Sequence, residues 1–133
     1  MNKRFFVSVA VTFVLLMAIG FLVHGVLLAN DYAQLQTIFR TEDGQMQHFP
    51  FVILAHLFTS FAIVWIYVRI KGDTPILTQG VCYGLALASV MIIPKFLTYF
   101  AIQPMPAMVA VKQIIFDTLG VVLIAIVVAR LNK

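Results

Sequence analysis

Apolar residues in this chain form four long runs, and the short segments between them contain most of the charges. The runs cover about residues 5–29, 50–68, 79–102 and 105–129. An α-helix needs roughly 20 apolar residues to cross the hydrocarbon core of a bilayer, and each run is close to this length. The pattern predicts an all-α polytopic membrane protein, in which a four-transmembrane-helix bundle occupies residues 1–133 as a single domain.

The composition supports a membrane protein and argues against soluble classes. Hydrophobic residues make up 62% of the 133 residues and charged residues 11%, and the mean hydropathy is +1.04. These values lie outside the range of soluble globular domains, so the lipid bilayer is the expected partner. The nine Lys and Arg residues are scattered among apolar segments and form no basic patch, so nucleic acid is not an expected partner.

The charges between the runs predict the orientation in the membrane. Cations dominate both ends of the chain and the second connection: Lys3, Arg4, Arg69, Lys71, Arg130 and Lys133. The first connection instead has Arg40 beside Asp31, Glu42 and Asp43. Because cytoplasmic loops are enriched in Lys and Arg, we expect both termini on the cytoplasmic side of the inner membrane. Lys112, near the outer end of the fourth run, is an exception to this bias.

The first run is expected to remain in the protein as its first transmembrane helix. It follows a basic amino end, as a secretory signal would, but it is longer than the apolar core of about 7–15 residues that such a signal has. The helix continues to about residue 29 in this interpretation, and the segment from Asn30 to His48 is a loop that contains a charged turn at residues 40–44.

A weak internal repeat relates the second run to the fourth. A shift of 61 residues superimposes Ile53, His56, Ile63 and Arg69 on Ile114, Asp117, Ile124 and Arg130. Two duplicated helical hairpins in the same orientation, a parallel repeat, would produce this pattern. Chance similarity between apolar helices is the alternative.

Four ionisable side chains fall inside the apolar runs, and all of them map to the outer half of the bilayer. They are His24, His56, Lys95 and Asp117. Such residues cost roughly 2.5–3.5 kcal/mol each at a helix centre, so they are usually paired or functional. Neighbours at helical spacing add two more polar groups, Tyr99 and Gln113. We therefore expect the six residues to line a polar pocket that opens outward above an apolar inner half.

Lys95 and Asp117 are expected to form an ion pair, because each would neutralise the other at lower cost than either alone in lipid. Pro94 has no amide hydrogen, so it frees the carbonyl of residue 90 and is expected to kink the third helix. The alternative is that Lys95 extends its ammonium group to the membrane surface without a specific partner.

His24 and His56 allow a further interpretation, because neutral imidazoles are ligands for metal ions and for haem. Both histidines are candidates for such a site if they lie on adjacent helices. The alternative is that each one makes an interhelical hydrogen bond. No pair of candidate ligands has the tight spacing of a metal motif.

Small residues recur every four positions in the third run, at Gly80, Gly84 and Ala88. Such a face lets another helix approach closely, either inside the bundle or in a homodimer. The size and four-helix layout resemble the small multidrug transporters in architecture alone. Those proteins have a membrane carboxylate in their first helix, where this chain has His24.

These features lead to one functional hypothesis and two alternatives. The hypothesis is that the outward pocket binds or passes a small polar solute or a proton. The first alternative is an accessory subunit of a larger membrane complex, without an activity of its own. The second is a haem-binding or metal-binding protein that uses His24 and His56. No serine or cysteine nucleophile stands beside a base, so an enzyme is not the favoured interpretation.

Overall fold

The computed structural model describes residues 2–133, and within that range the chain forms helices and no strands. We number the helices α1 (Lys3–Leu27), α2 (Ala29–Ala33), α3 (Glu42–Ile70), α4 (Ile76–Ile102) and α5 (Ala107–Leu131). Among the described residues, α1, α3, α4 and α5 are the four helices that are long and apolar enough to cross a membrane. This confirms the predicted all-α class with four candidate membrane spans.

The start of the second long helix differs from the prediction. α3 begins at Glu42 and not at residue 50, so the expected charged turn at residues 40–44 is partly helical. The Thr41 side chain caps the helix by accepting a hydrogen bond from the Gly44 backbone N–H at 3.3 Å. Glu42 and Asp43 occupy the first turn, where negative charge stabilises the positive end of the helix dipole.

Two of the long helices contain a π-helical turn. In α1 it covers Phe21–Leu27, and the Leu28 backbone N–H donates to the Val23 carbonyl at 2.9 Å, five residues back. In α4 it covers Ala88–Ile92 and ends just before Pro94. Because Pro94 cannot donate to the carbonyl four residues earlier, the expected disruption of α4 takes the form of this wide turn.

The closest helix contact joins α4 to α5. A Cβ atom built on Gly80 or Gly84 would lie 2.6 Å from the Cα atom of Ile126 or Val122, respectively. Such a distance leaves no room for a side chain, so the two backbones touch directly at the glycines. The small-residue face predicted from the sequence therefore packs inside the bundle.

The centre of the bundle is apolar, but it also encloses hydroxyl groups. The most completely buried side chains include Ile63 and Val64 on α3 and Ile124 on α5. Ser8, Thr12 and Ser60 are equally buried, at 0% exposure. The inner half of the bundle is consequently less uniformly apolar than the sequence pattern indicated.

The outer surface of the bundle is apolar, as expected for a protein surrounded by lipid. Phe21, Phe58 and Val90 are more than 70% exposed. An exposed apolar surface that extends along every long helix is typical of a chain whose solvent is hydrocarbon.

Candidate functional site

Three long helices bring charged side chains together at Asp117. The Nε2 atom of His24 on α1 lies 3.1 Å from both carboxylate oxygens of Asp117 on α5. Lys95 on α4 has its Nζ atom 3.9 Å from Asp117 Oδ2. The expected contact between Lys95 and Asp117 is present, at the long end of the range for an ion pair, and His24 is the closer partner of the carboxylate.

Tyr32 extends this cluster toward the end of the bundle where α2 lies. Its hydroxyl oxygen is 2.6 Å from His24 Nδ1, and the side-chain amide of Gln113 donates to the same oxygen at 3.0 Å. Because an ionised carboxylate only accepts hydrogen bonds, Nε2 of His24 carries a hydrogen toward Asp117. In the neutral imidazole, Nδ1 then accepts the Tyr32 O–H. We call Tyr32, His24, Asp117, Lys95 and Gln113 the Asp117 cluster.

The members of the cluster differ in their access to the surroundings. The Asp117 side chain is 12% exposed, whereas His24 and Lys95 are 34% and 40% exposed. The Lys95 ammonium also lies 4.2 Å from the centre of the Phe96 ring, a cation–π contact against a buried aromatic residue. The carboxylate is therefore the enclosed member, and its two cationic or ionisable partners reach the boundary of the bundle.

Helix α2 holds Tyr32 in place at the end of the site. Asp31, its neighbour, accepts a hydrogen bond from Lys112 Nζ at 3.0 Å. Burial raises the pKa of the Tyr32 phenol above its usual value of 10, and the nearby Asp117 and Asp31 carboxylates raise it further, while the hydrogen bond from Gln113 opposes them. Tyr32 thus remains protonated at neutral pH and can donate to His24.

Both π-helical turns lie beside the Asp117 cluster. His24 is inside the turn at Phe21–Leu27, and Lys95 follows the turn at Ala88–Ile92 by three residues. One additional residue in a turn rotates everything after it by about 100° relative to an uninterrupted α-helix. Turns of this kind are frequent at functional sites. Here they set the direction from which His24 and Lys95 approach the carboxylate.

Within residues 2–133, two of the six predicted residues, His56 and Tyr99, make neither a hydrogen bond nor an ion pair with the cluster. The Nδ1 atom of His56 forms a hydrogen bond with the Val52 carbonyl of its own helix at 2.7 Å. Its Nε2 atom faces α1 near Gly20, one turn before His24. Tyr99 is 43% exposed and packs edge-to-face on Phe96 at 6.2 Å. Tyr99 is thus a neighbour of the site without a polar contact to it.

The cluster contains one buried acceptor without a protein partner. Gln113 is 4% exposed, and its Oε1 atom has no hydrogen-bond partner among the described residues. Leaving a buried acceptor unpaired costs roughly 1–3 kcal/mol. A water molecule or the donor group of a solute would remove this cost.

The donor set does not resemble a metal site. No group of three or more His, Cys, Asp or Glu residues within 2–133 is arranged to hold a metal ion. Both ring nitrogens of His24 have protein partners in Tyr32 and Asp117. An ion or a haem iron on His24 would have to displace one of them.

No protein-family model, curated protein or solved structure matches this chain. The chemistry of the cluster is therefore inferred from its residues. A carboxylate, an imidazole, a phenol and an ammonium group in mutual contact form a set that can hold a proton and exchange it.

Proposed function

We propose that this protein binds and exchanges a proton, alone or with a small polar solute, at the Asp117 cluster. The proposal includes the orientation expected from the charges, with both termini in the cytoplasm and the cluster open to the outer side of the inner membrane. The observation that carries it is the position of His24. Its imidazole bridges the Tyr32 hydroxyl at 2.6 Å and the Asp117 carboxylate at 3.1 Å.

A bridging imidazole can receive a proton on one side while holding another on the opposite side. When a proton reaches the Tyr32 oxygen from the aqueous side, the phenol hydrogen passes to His24 Nδ1, and the new imidazolium donates to the Tyr32 oxygen, which keeps the arriving proton. The Nε2 hydrogen then lies between two partners, His24 and Asp117, and can pass to the carboxylate.

Gln113 supports the inclusion of a polar solute. Its unpaired Oε1 atom offers an acceptor beside Tyr32, in a position that is almost completely buried. A solute with an N–H or O–H group would satisfy this acceptor and contact the proton-carrying chain at the same time. Proton binding and solute binding would then influence each other through Tyr32.

The apolar stretch on the other side of the cluster favours access from one side. His24 and the next buried polar residue of α1, Thr12, are separated by the apolar sequence FVLLMAIGFLV. At 1.5 Å per residue this distance is roughly 18 Å along the helix. A bundle of this kind holds a proton at a binding site and is not a continuous water-filled channel.

Protonation can be measured without knowing a solute, because the proton itself is the probe. Infrared difference spectra of the protein in lipid, recorded across the pH range in which the bundle stays folded, report protonation of buried carboxyl groups. We expect Asp117→Asn to remove a pH-dependent carboxyl band and His24→Gln to shift its midpoint. Asp43→Asn is the matched control, because Asp43 is exposed in the first turn of α3.

Two outcomes would contradict the proposal. The first is a wild-type spectrum without any carboxyl change that depends on Asp117. The second is a change that Asp43→Asn abolishes as completely as Asp117→Asn does. Either result would leave the polar contacts a structural role, and retention of large subunits during mild purification would then favour the accessory-subunit alternative.

A further inference from the structure

At the opposite end of the bundle, basic residues surround an open cavity of about 650 Å³. Its lining includes Arg4 from the first turn of α1 and Arg69 and Lys71 from the end of α3. Phe5 and Val68 provide apolar wall on the bundle side. We propose that this cavity binds a phosphate group, supplied by an anionic phospholipid or by a soluble phosphate compound.

The cations of the cavity form no ion pair with an acidic side chain in the part of the chain that the structure describes. Within residues 2–133, the ion pairs at 4.0 Å or less join His24 and Lys95 to Asp117, and Lys112 to Asp31, all at the other end of the bundle. Lys133 also lines the cavity, so four basic side chains converge there and their positive charges repel one another. A bound anion removes that repulsion, which is the physical reason for expecting one.

The donors of these side chains are only partly used. Arg69 donates one N–H to the Trp65 carbonyl at 2.9 Å, and its guanidinium carbon lies 3.7 Å from the centre of the Trp65 ring. Lys71 donates to the Asn132 carbonyl at 2.8 Å. A guanidinium has five donors and an ammonium three, so both retain hydrogen-bond capacity for phosphate oxygens.

The interior of the bundle holds this arrangement in place. The Asn132 side-chain amide donates to Ser8 Oγ at 2.9 Å, so α1, α5 and the end of α3 meet at one buried asparagine. Asn132 is 6% exposed. The site therefore has a fixed base, in contrast to lysines on an unconstrained surface.

A second cavity indicates where the rest of a lipid would lie. It measures about 440 Å³, and its lining includes Arg4, Val7 and Leu131. Arg4 borders both cavities. A phosphate near Arg4 can thus continue into a glycerol and acyl chain along the apolar wall, at the level where α1 begins and α3 and α5 end. Basic pockets between transmembrane helices commonly bind lipid headgroups in this way.

Trp65 provides a direct reporter, because it is the only tryptophan in the chain and stacks on Arg69. The purified protein in detergent is titrated with phosphatidylglycerol or phosphatidylcholine whose acyl chains carry bromine, and quenching of Trp65 is followed. Native mass spectrometry counts the lipids that remain bound. Inorganic phosphate and glycerol phosphate, added as competitors, distinguish the two sources of the phosphate group.

We expect phosphatidylglycerol to bind more tightly than phosphatidylcholine. Arg4→Gln should weaken this binding about fivefold, which corresponds to roughly 1 kcal/mol for one cation near an anionic headgroup. Arg4 makes no ion pair within residues 2–133 and is exposed, so its removal leaves the bundle intact. Arg40→Gln, a change at the opposite end of the bundle, is the control and should have no effect.

The competitor experiment assigns the source. If phosphatidylglycerol stays bound in millimolar phosphate, the cavity is a lipid site. If phosphate or glycerol phosphate displaces the lipid, the cavity is a site for a soluble compound. The proposal would be overturned by two results obtained together. The first is equal binding of phosphatidylglycerol and phosphatidylcholine, and the second is that neither Arg4→Gln nor Arg69→Gln changes the binding of lipid or of phosphate.

Discussion

Replacing Gly84 by alanine tests whether the direct backbone contact between α4 and α5 stabilises the bundle. The added Cβ would lie 2.6 Å from the Val122 Cα, whereas ordinary contacts begin at 3.4 Å. The helices must therefore separate by about 0.8 Å at this level, because a backbone atom cannot rotate away as a side chain can. We expect the free energy of unfolding to fall.

The magnitude follows from two opposing effects. Overpacking of a well-packed core costs typically 1–3 kcal/mol. Alanine in place of glycine inside a helix returns up to about 1 kcal/mol. Gly84→Ala should thus destabilise the protein by roughly 1–2 kcal/mol. The double variant with Gly80→Ala and Gly84→Ala should lose less free energy of unfolding than the sum of the two single variants. A single displacement of α4 relieves both contacts.

Two other helical glycines provide graded controls. A Cβ built on Gly20 meets its nearest atom, His56 Nε2, at 3.8 Å, so Gly20→Ala should not destabilise the bundle. A Cβ built on Gly120 lies 2.7 Å from Ile19 Cγ2, the end of a side chain that can move, so Gly120→Ala should lie in between. Unfolding in mixed micelles of a mild detergent and dodecyl sulfate, followed by circular dichroism, measures all four variants.

The order of stability decides the outcome. The reasoning fails if Gly84→Ala is as stable as the wild type or if Gly20→Ala loses as much. A third result, in which Gly84→Ala changes the oligomeric state and leaves the unfolding of each chain unchanged, would instead place the glycine face at a contact between two copies.

Three further predictions concern single polar groups, each measured by thermal unfolding. Tyr32→Phe should lower stability by about 1 kcal/mol at neutral pH. The pKa of the Tyr32 phenol is raised in the folded protein above its usual value of 10. The stability that the neutral phenol contributes is therefore complete below pH 10 and is lost as the pH rises through the higher pKa of the folded state. In strong alkali the wild type should consequently lose more stability than Tyr32→Phe. Asn132→Ala should cost about 1–2 kcal/mol, because it leaves the buried Ser8 hydroxyl without its partner. Lys112→Gln should cost at most about 1 kcal/mol, because the Lys112 side chain, which pairs with Asp31, is 40% exposed.

The charged part of the site could be predicted because charge is conspicuous in an apolar run. Lys95 and Asp117 lie in different helices at similar depth, and a single rule about the cost of charge in lipid is sufficient to pair them. His24 was a candidate for the same reason. The rule concerns depth alone, so it identified which helices carry the polar groups without specifying the direction in which each side chain points.

His56 and Tyr99 show where helical periodicity is insufficient. Both were assigned to the pocket from stripes with a constant period of 3.6 residues. Tyr99 keeps its predicted spacing from Lys95, because both lie in the regular helical segment Ile93–Ile102, but its ring packs on Phe96 and its hydroxyl makes no hydrogen bond with the carboxylate. His56 satisfies its Nδ1 atom within α3. Neither an aromatic contact nor a hydrogen bond within one helix leaves a pattern that apolar periodicity can detect.

Tyr32 was missed because the predicted helix ended at residue 29 and the following residues were assigned to a loop. The chain instead forms the short helix α2 over Ala29–Ala33. Tyr32 follows His24 by eight residues, which is close to two helical turns. This spacing would have suggested the contact between Tyr32 and His24 if a helix had been assumed there. The internal repeat and the membrane orientation stay predictions, because packing inside one bundle tests neither.

The wide turn in α4 also separates two regions that are held together in different ways. Before it, Gly80 and Gly84 place the α4 backbone directly against α5, and a gap of about 0.5–1 Å would remove roughly a quarter to a half of the dispersion attraction there. After it, α4 approaches Asp117 through the long, half-exposed Lys95 side chain at 3.9 Å. A flexible lysine can follow a shift of its helix and keep the pair, while a glycine contact cannot.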